Sequence, residues 1–223
     1  MSSADFDRLG YAMVESLLSA RECDEVSAKL ANTSQTGTRK LLGQAWCTDL
    51  ADKLGRHPDL RAYVEADYLA VQCTYFEKSA EHNWLVPIHQ DLSIPVAGRV
   101  AHPALRGWSE KEGTLFVQPP VEVLEKLVAV RLHLDACGEA DGPLHLLPGT
   151  HAQGLVTAEA AVQARKTLPA VASIAHRGSA CVMRPLLLHA SSRSCGSSRR
   201  RVLHFVFAPP TLPFGLRWPA RAG

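Results

Sequence analysis

A surplus of one charge sign is the first thing missing. Against 24 Lys and Arg stand 22 Asp and Glu, leaving +2 over 223 residues. So small an excess argues against a nucleic acid or an anionic membrane as partner. Long apolar runs are missing too, and no uninterrupted stretch approaches membrane-spanning length. The opening "MSSADFDRLGYAMVESLL" carries early acidic residues and no apolar h-region, so no signal peptide is expected and a cytoplasmic location is. Cysteines Cys23, Cys47, Cys73, Cys137, Cys181 and Cys195 are scattered without a C-x-x-C pair. They read as buried free thiols of a reducing compartment, neither disulfides nor structural zinc ligands. No internal repeat, linker or low-complexity segment breaks the chain.

What remains is an ordinary globular composition, 46% hydrophobic and 21% charged. A single domain over 1–223 is expected. Residues 1–65 read as a mostly helical buttress, with a capping box predicted at Ser19 and Glu22 and further short helices after Thr48 and after Pro58. A β-rich core follows over 66–210, and a tail over 211–223. Strands are predicted at 68–76, 86–94, 114–119, 126–135, 143–147, 179–189 and 201–208, with one helical insert, "TAEAAVQARKTL". Helices first and strands after them suggest a sandwich or barrel with helices packed outside it.

The stretch "NWLVPIHQDLSIPV" is unusual, because a half-buried strand carries His89, Gln90 and Asp91. Buried polar groups need partners. In a strand His89 and Asp91 share a face, so an imidazole and a carboxylate are presented side by side. A third ligand from a distant strand would complete a 2-His-1-carboxylate triad, which leaves coordination positions open and suits Fe(II) and O2 chemistry. The best candidate is His189, closing "RPLLLH". The plain alternative is a core histidine paired with a neighbouring carboxylate.

The motifs "HQDLS", "RLHLDACGEADGPLHLLPGTH" and "LLLHASSRSCGSSRRRVLHF" together resemble the phytanoyl-CoA dioxygenase family, across about residues 66–210. "GPLHLLPGTH" is close to that family's G-P-L-x-x-x-P-G-[ST]-H, and "GYAMVESLLSARECDEV" looks like its usual opening. The resemblance implies a double-stranded β-helix, a jelly roll of the cupin-like kind. It also implies an oxygenase using Fe(II), with 2-oxoglutarate and O2 as cosubstrates, that releases succinate and CO2. His89, Asp91 and His189 would then be the catalytic iron ligands. An arginine eleven residues after the distal histidine would grip the far carboxylate of 2-oxoglutarate, which here is Arg200; alternation alone does not choose among Arg199, Arg200 and Arg201. Ser191, Gln72 and Lys78 are further candidates for the cosubstrate. The alternative for Gln72 is a sheet glutamine satisfied by backbone, and for Lys78 a solvated strand end.

Arg131 and His133 share one face of "VAVRLHLD" and would bind substrate if that face is interior. His204 lies in phase with Arg200, and Arg39 is a candidate substrate contact from the N-terminal part, or an exposed surface arginine. Trp84 is expected to pack, and His145, His151 and His176 to bind no metal. Related halogenases replace the triad carboxylate with a small residue, so an intact Asp91 favours hydroxylation, desaturation or ring formation. A small-molecule substrate, such as an amino acid or natural-product intermediate, is expected, on a monomer or homodimer. A non-catalytic metal- or ligand-binding protein of the same fold is the alternative.

Overall fold

Two serines start the first two helices. Ser2 and Asp5 exchange side-chain and backbone hydrogen bonds to cap α1 (Ser3–Leu9). Ser19 and Glu22 do the same for α2 (Ala20–Leu30), as the sequence predicts. Between them the expected helical run is interrupted by a strand, β1 (Tyr11–Val14), which pairs Tyr11 with Met183. Gly10 makes the break. It caps α1 in the left-handed region at φ 80°, and a Cβ there would come within 2.4 Å of the His151 ring. The next helix, α3 (Ala45–Arg56), starts ahead of Thr48, and after Pro58 there is only a single 3-10 turn, Pro58–Leu60.

The computed structural model describes residues 2–31, 37–79, 82–196 and 199–220; of the expected tail, 221–223 lie outside these. After α3 come β2 (Leu69–Lys78), β3 (Val86–His89), β4 (Ile94–Val96), β5 (Arg106–Lys111) and β6 (Thr114–Gln118). A one-turn α4 (Val121–Leu124) leads to β7 (Val128–His133) and β8 (Leu144–Leu146). The insert forms α5 (Ala158–Thr167), capped by Thr157, and is followed by β9 (Val171–Ala172), β10 (Ala180–Met183), β11 (His189–Ser191) and β12 (Arg200–Ala208).

A five-stranded sheet, in the order β1-β10-β7-β12-β2, packs against a four-stranded one, β3-β11-β8-β9. Ala129, Cys181 and Met183 of the first meet Leu144 and Leu146 of the second. The outer face of the large sheet is covered by the helices. Val128, Val130 and Leu132 share a buried cluster with Phe6, Leu50 and Leu54. Strand alternation therefore turns Arg131 and His133 inward, between the sheets. A third sheet, β4-β6-β5, carries its own cluster with the C-terminal Leu216.

Two predicted strands split. The run 86–94 is two strands, β3 and β4, with Asp91 between them in neither. The run 179–189 divides into β10 and β11 at Pro185, where Leu187 N–H turns back to the Arg184 carbonyl. Proline has no N–H for a ladder, so the apolar "RPLLL" bends and starts a strand in the other sheet. The strands β5 and β9 were not anticipated from the sequence.

Candidate active site

His89 ends β3, His189 begins β11, and the two residues face each other across that ladder, their ring centroids 4.2 Å apart. Asp91 comes to the same place by another route. Its amide donates to the Pro185 carbonyl at 2.9 Å, so the bend after β10 positions it where strand alternation was expected to. Its carboxylate oxygens lie 3.8 Å from His89 Nε2 and 3.9 Å from His189 Nε2. One donor atom from each of the three falls within 4.8 Å of the others.

The donor set fits a divalent ion. His89 Nδ1 is 2.8 Å from the Pro87 carbonyl and His189 Nδ1 is 2.9 Å from the Leu187 carbonyl. A carbonyl only accepts, so each Nδ1 carries the proton and each Nε2 keeps its lone pair turned toward Asp91. Burial pushes the His189 imidazole down to about 4, which keeps it neutral, as a ligand must be. Burial also opposes ionisation of Asp91. The protonated forms of His189, His204 and His89 outweigh it where the carboxyl titrates, and hold it below its usual range.

Gln90, between the two ligand candidates, points away and is buried. Its Nε2 donates to the carbonyls of Leu186 at 2.7 Å and Gly154 at 2.8 Å, while its Oε1 accepts from the Val156 amide at 2.9 Å. The polar residues of this segment thus have separate duties: two face the donor cluster and one fastens it to neighbouring loops.

A cavity of about 280 Å³ opens over the donors. Gln72, Thr74, Phe76 and Lys78 enter it from β2 at a spacing of two. Lys78 is not a solvated strand end: it is 1% exposed and its ammonium donates to Ser191 Oγ and the Ser192 carbonyl. Burial, then Arg200 and Arg131, lower its pKa to about 8. Ser191 Oγ in turn donates to the Gly142 carbonyl at 3.2 Å. Arg200 faces Lys78 across the β12–β2 ladder, is 2% exposed, and donates to the same carbonyl at 2.9 Å. Its neighbours turn outward, Arg199 to Glu77 and Arg201 to Asp135.

Arg131 lies deeper on the wall, over the Phe76 ring at 5.2 Å. His204 puts Nε2 3.7 Å from Asp91 Oδ2, and burial lowers its pKa to about 4. Gln72 Nε2 donates to Thr74 Oγ1 at 3.0 Å, a side-chain partner where a backbone one was the alternative. Arg39 is half-buried at the mouth, where its amide donates to Glu112 and its guanidinium to the Gly37 carbonyl. Trp84 was expected only to pack; it lines the cavity, its ring 5.9 Å from the Lys78 ammonium. His133 is the candidate the structure does not bring to the wall. It is fully buried on the inner face beyond Arg131, where burial and the arginines lower its pKa to about 3.

Among the described residues, His145, His151 and His176 join no metal-competent cluster. Five cysteines are buried and free as expected; Cys195 is free but exposed. A second cavity, about 400 Å³ and mainly apolar, shares Arg39 and Gln72 with the first and adds Leu42, Val71, Phe116 and Trp218. Sequence reading missed Thr74 and Phe76 as wall residues, although the period-two phase of Gln72 and Lys78 marks both.

The chain superposes on several solved structures. AviO1 from Streptomyces viridochromogenes Tue57 has a TM-score of 0.63 at 20% identity, with 95% of each chain covered. HygX from Streptomyces hygroscopicus, crystallised with nickel and 2-oxoglutarate, gives 0.62 at 15% identity over 92% of this chain and 84% of that one. EctD from S. alaskensis, with 2-oxoglutarate and 5-hydroxyectoine, gives 0.68 at 17% identity over 98% and 80%. These likenesses carry the double-stranded β-helix fold. No curated protein matches the sequence. Residues 6–202 match the family described as phytanoyl-CoA dioxygenase, a span that includes His89, Asp91, His189 and Arg200: the chain belongs to the phytanoyl-CoA dioxygenase family.

Proposed function

We propose that the protein is an Fe(II)/2-oxoglutarate-dependent oxygenase that hydroxylates a small molecule such as an amino acid or natural-product intermediate. One observation carries this reading: two imidazole Nε2 lone pairs and a carboxylate converge beside a cavity walled by buried cations. His89, Asp91 and His189 hold the metal. Arg200, Lys78 and Ser191 form a cradle for the distal carboxylate of 2-oxoglutarate, with a planar guanidinium and an ammonium offering charge-assisted hydrogen bonds. Bound Fe(II) supplies the activation of O2 that couples decarboxylation of 2-oxoglutarate to oxidation of the substrate. The protein's own part is positional. Gln90 fixes the ligand segment, the two carbonyls fix the imidazole tautomers, and Phe76 and Trp84 limit water around the reacting groups. The solved structures with nickel or 2-oxoglutarate bound support the assignment by analogy of fold.

The test is anaerobic addition of Fe(II) and 2-oxoglutarate, followed by the visible charge-transfer band. The band is expected in wild type and absent in His89→Ala. Its absence from folded, metal-loaded wild type overturns the oxygenase reading and leaves a non-catalytic binding protein.

A further inference from the structure

The cation count of the cavity wall exceeds what metal and cosubstrate require. Lys78, Arg131 and Arg200 all line it, and each is at least nine-tenths buried. The carboxylate on the same wall is Asp91. A divalent metal and the dianion 2-oxoglutarate cancel each other, so two positive charges stay uncompensated with the histidines counted as neutral. Arg39 adds another at the mouth, although Glu112 sits beside it. A buried charge is costly unless paired.

The surplus localises at Arg131. Lys78 and Arg200 are already held by Ser191, Ser192 and Gly142. Arg131 is 6% exposed, its guanidinium makes no hydrogen bond or ion pair among the described residues, and its Nε is buried without a partner. Across its two ladders it meets His204 and Cys181, neither of them an anion, since burial holds the Cys181 thiol protonated up to about 12. Its guanidinium rests on Phe76, which fixes its plane without neutralising it. An unpaired fork in a ligand cavity is a site for an oxyanion.

We infer that Arg131 is a specificity-determining residue that binds the carboxylate of an anionic substrate, a small organic acid, beside the metal and apart from the cradle of Arg200. This rests on the oxygenase reading, which assigns 2-oxoglutarate to Arg200. A mainly apolar cavity of about 400 Å³ adjoins this one, with Arg39 and Gln72 lining both, and is the neighbouring space suited to the substrate's uncharged remainder.

Calorimetry on Ni(II)-loaded protein tests it in two arms. The first titrates 2-oxoglutarate into wild type and Arg131→Gln; the second titrates short carboxylic acids and their primary amides into protein saturated with 2-oxoglutarate. At least one acid is expected to bind wild type about tenfold or more tighter than its amide. Arg131→Gln should lose that preference and keep its 2-oxoglutarate affinity within about threefold, and Arg131→Lys should regain part of the preference. A structural arginine would move a different quantity. Metal-free Arg131→Met is expected to melt no lower than wild type, because it removes a buried unpaired charge. The inference is overturned if no acid outbinds its amide, if Arg131→Gln leaves the preference intact, if 2-oxoglutarate affinity falls as far as acid affinity, or if Arg131→Met melts markedly lower. Failure of wild type to bind 2-oxoglutarate at all is a separate outcome, and sinks the oxygenase reading first.

Discussion

Gln90 sits between two ligand candidates yet spends its whole amide on backbone. Replacing it with Leu leaves the Leu186 and Gly154 carbonyls and the Val156 amide without that partner. The expected cost is about 2–4 kcal/mol in urea unfolding, and metal affinity should fall roughly tenfold as the ligand segment loosens. Arg200→Gln should behave otherwise. Metal affinity is unchanged while the Kd for 2-oxoglutarate rises about thirtyfold, measured by titration of the charge-transfer band. At this scale the sequence reveals types and spacings but not burial. The eleven-residue interval singles out Arg200 because the family pattern fixes it. Lys78 looks like a solvated terminus because a strand end usually is one, and nothing local announces that Ser191 and Ser192, more than a hundred positions on, will enclose it. Thiol reactivity follows the same burial: Cys195 should be the one cysteine in native protein that reacts rapidly with a chromogenic disulfide, the other five appearing on unfolding.

Among elements, β2 and β7 were legible because alternation is enforced by a face packed on core. Gln72, Thr74, Phe76 and Lys78 form one such series, Arg131 and His133 another. The splits at Asp91 and Pro185 were not legible. An apolar run reads as continuous whichever sheet its halves join, and the change of sheet is decided by tertiary packing. β1 escaped notice because four residues are too few to show a period. Its start depends on Gly10, and Gly10→Ala should lower stability by about 1–3 kcal/mol, since a left-handed φ and the His151 ring both oppose a methyl. Denaturation should show the loss while metal affinity stays as in wild type, because β1 belongs to the sheet that carries none of the three donors.

For the molecule as a whole, composition is that of a globular chain with a sizeable core, and no described helix is long and apolar enough to cross a membrane. Neither property locates the charge. The near-neutral total conceals a cationic interior, so what marks the site is the distribution of charge and not its sum. One consequence is a pH dependence of folding. His133 is lowered to about 3 by burial, both ring nitrogens unpartnered, whereas an unfolded histidine titrates near 6.5. Below that unfolded value the unfolded chain binds a proton that the folded one refuses, so stability contributed by the neutral ring is present above about pH 6.5 and is lost as pH falls toward 3. From pH 7.5 to 5 the loss from this residue should be about 2 kcal/mol. Urea midpoints of metal-free protein should show it, and His133→Leu should flatten that part of the slope.

The Gln90 amide also links distant stretches of chain mechanically. Through it the Val156 N–H, just ahead of α5, is fastened to the segment that bears His89 and Asp91. That proton is therefore a built-in reporter. Its exchange with solvent deuterium should slow when a metal tightens the ligand segment, so occupancy of the centre can be followed from a residue that touches neither metal nor substrate.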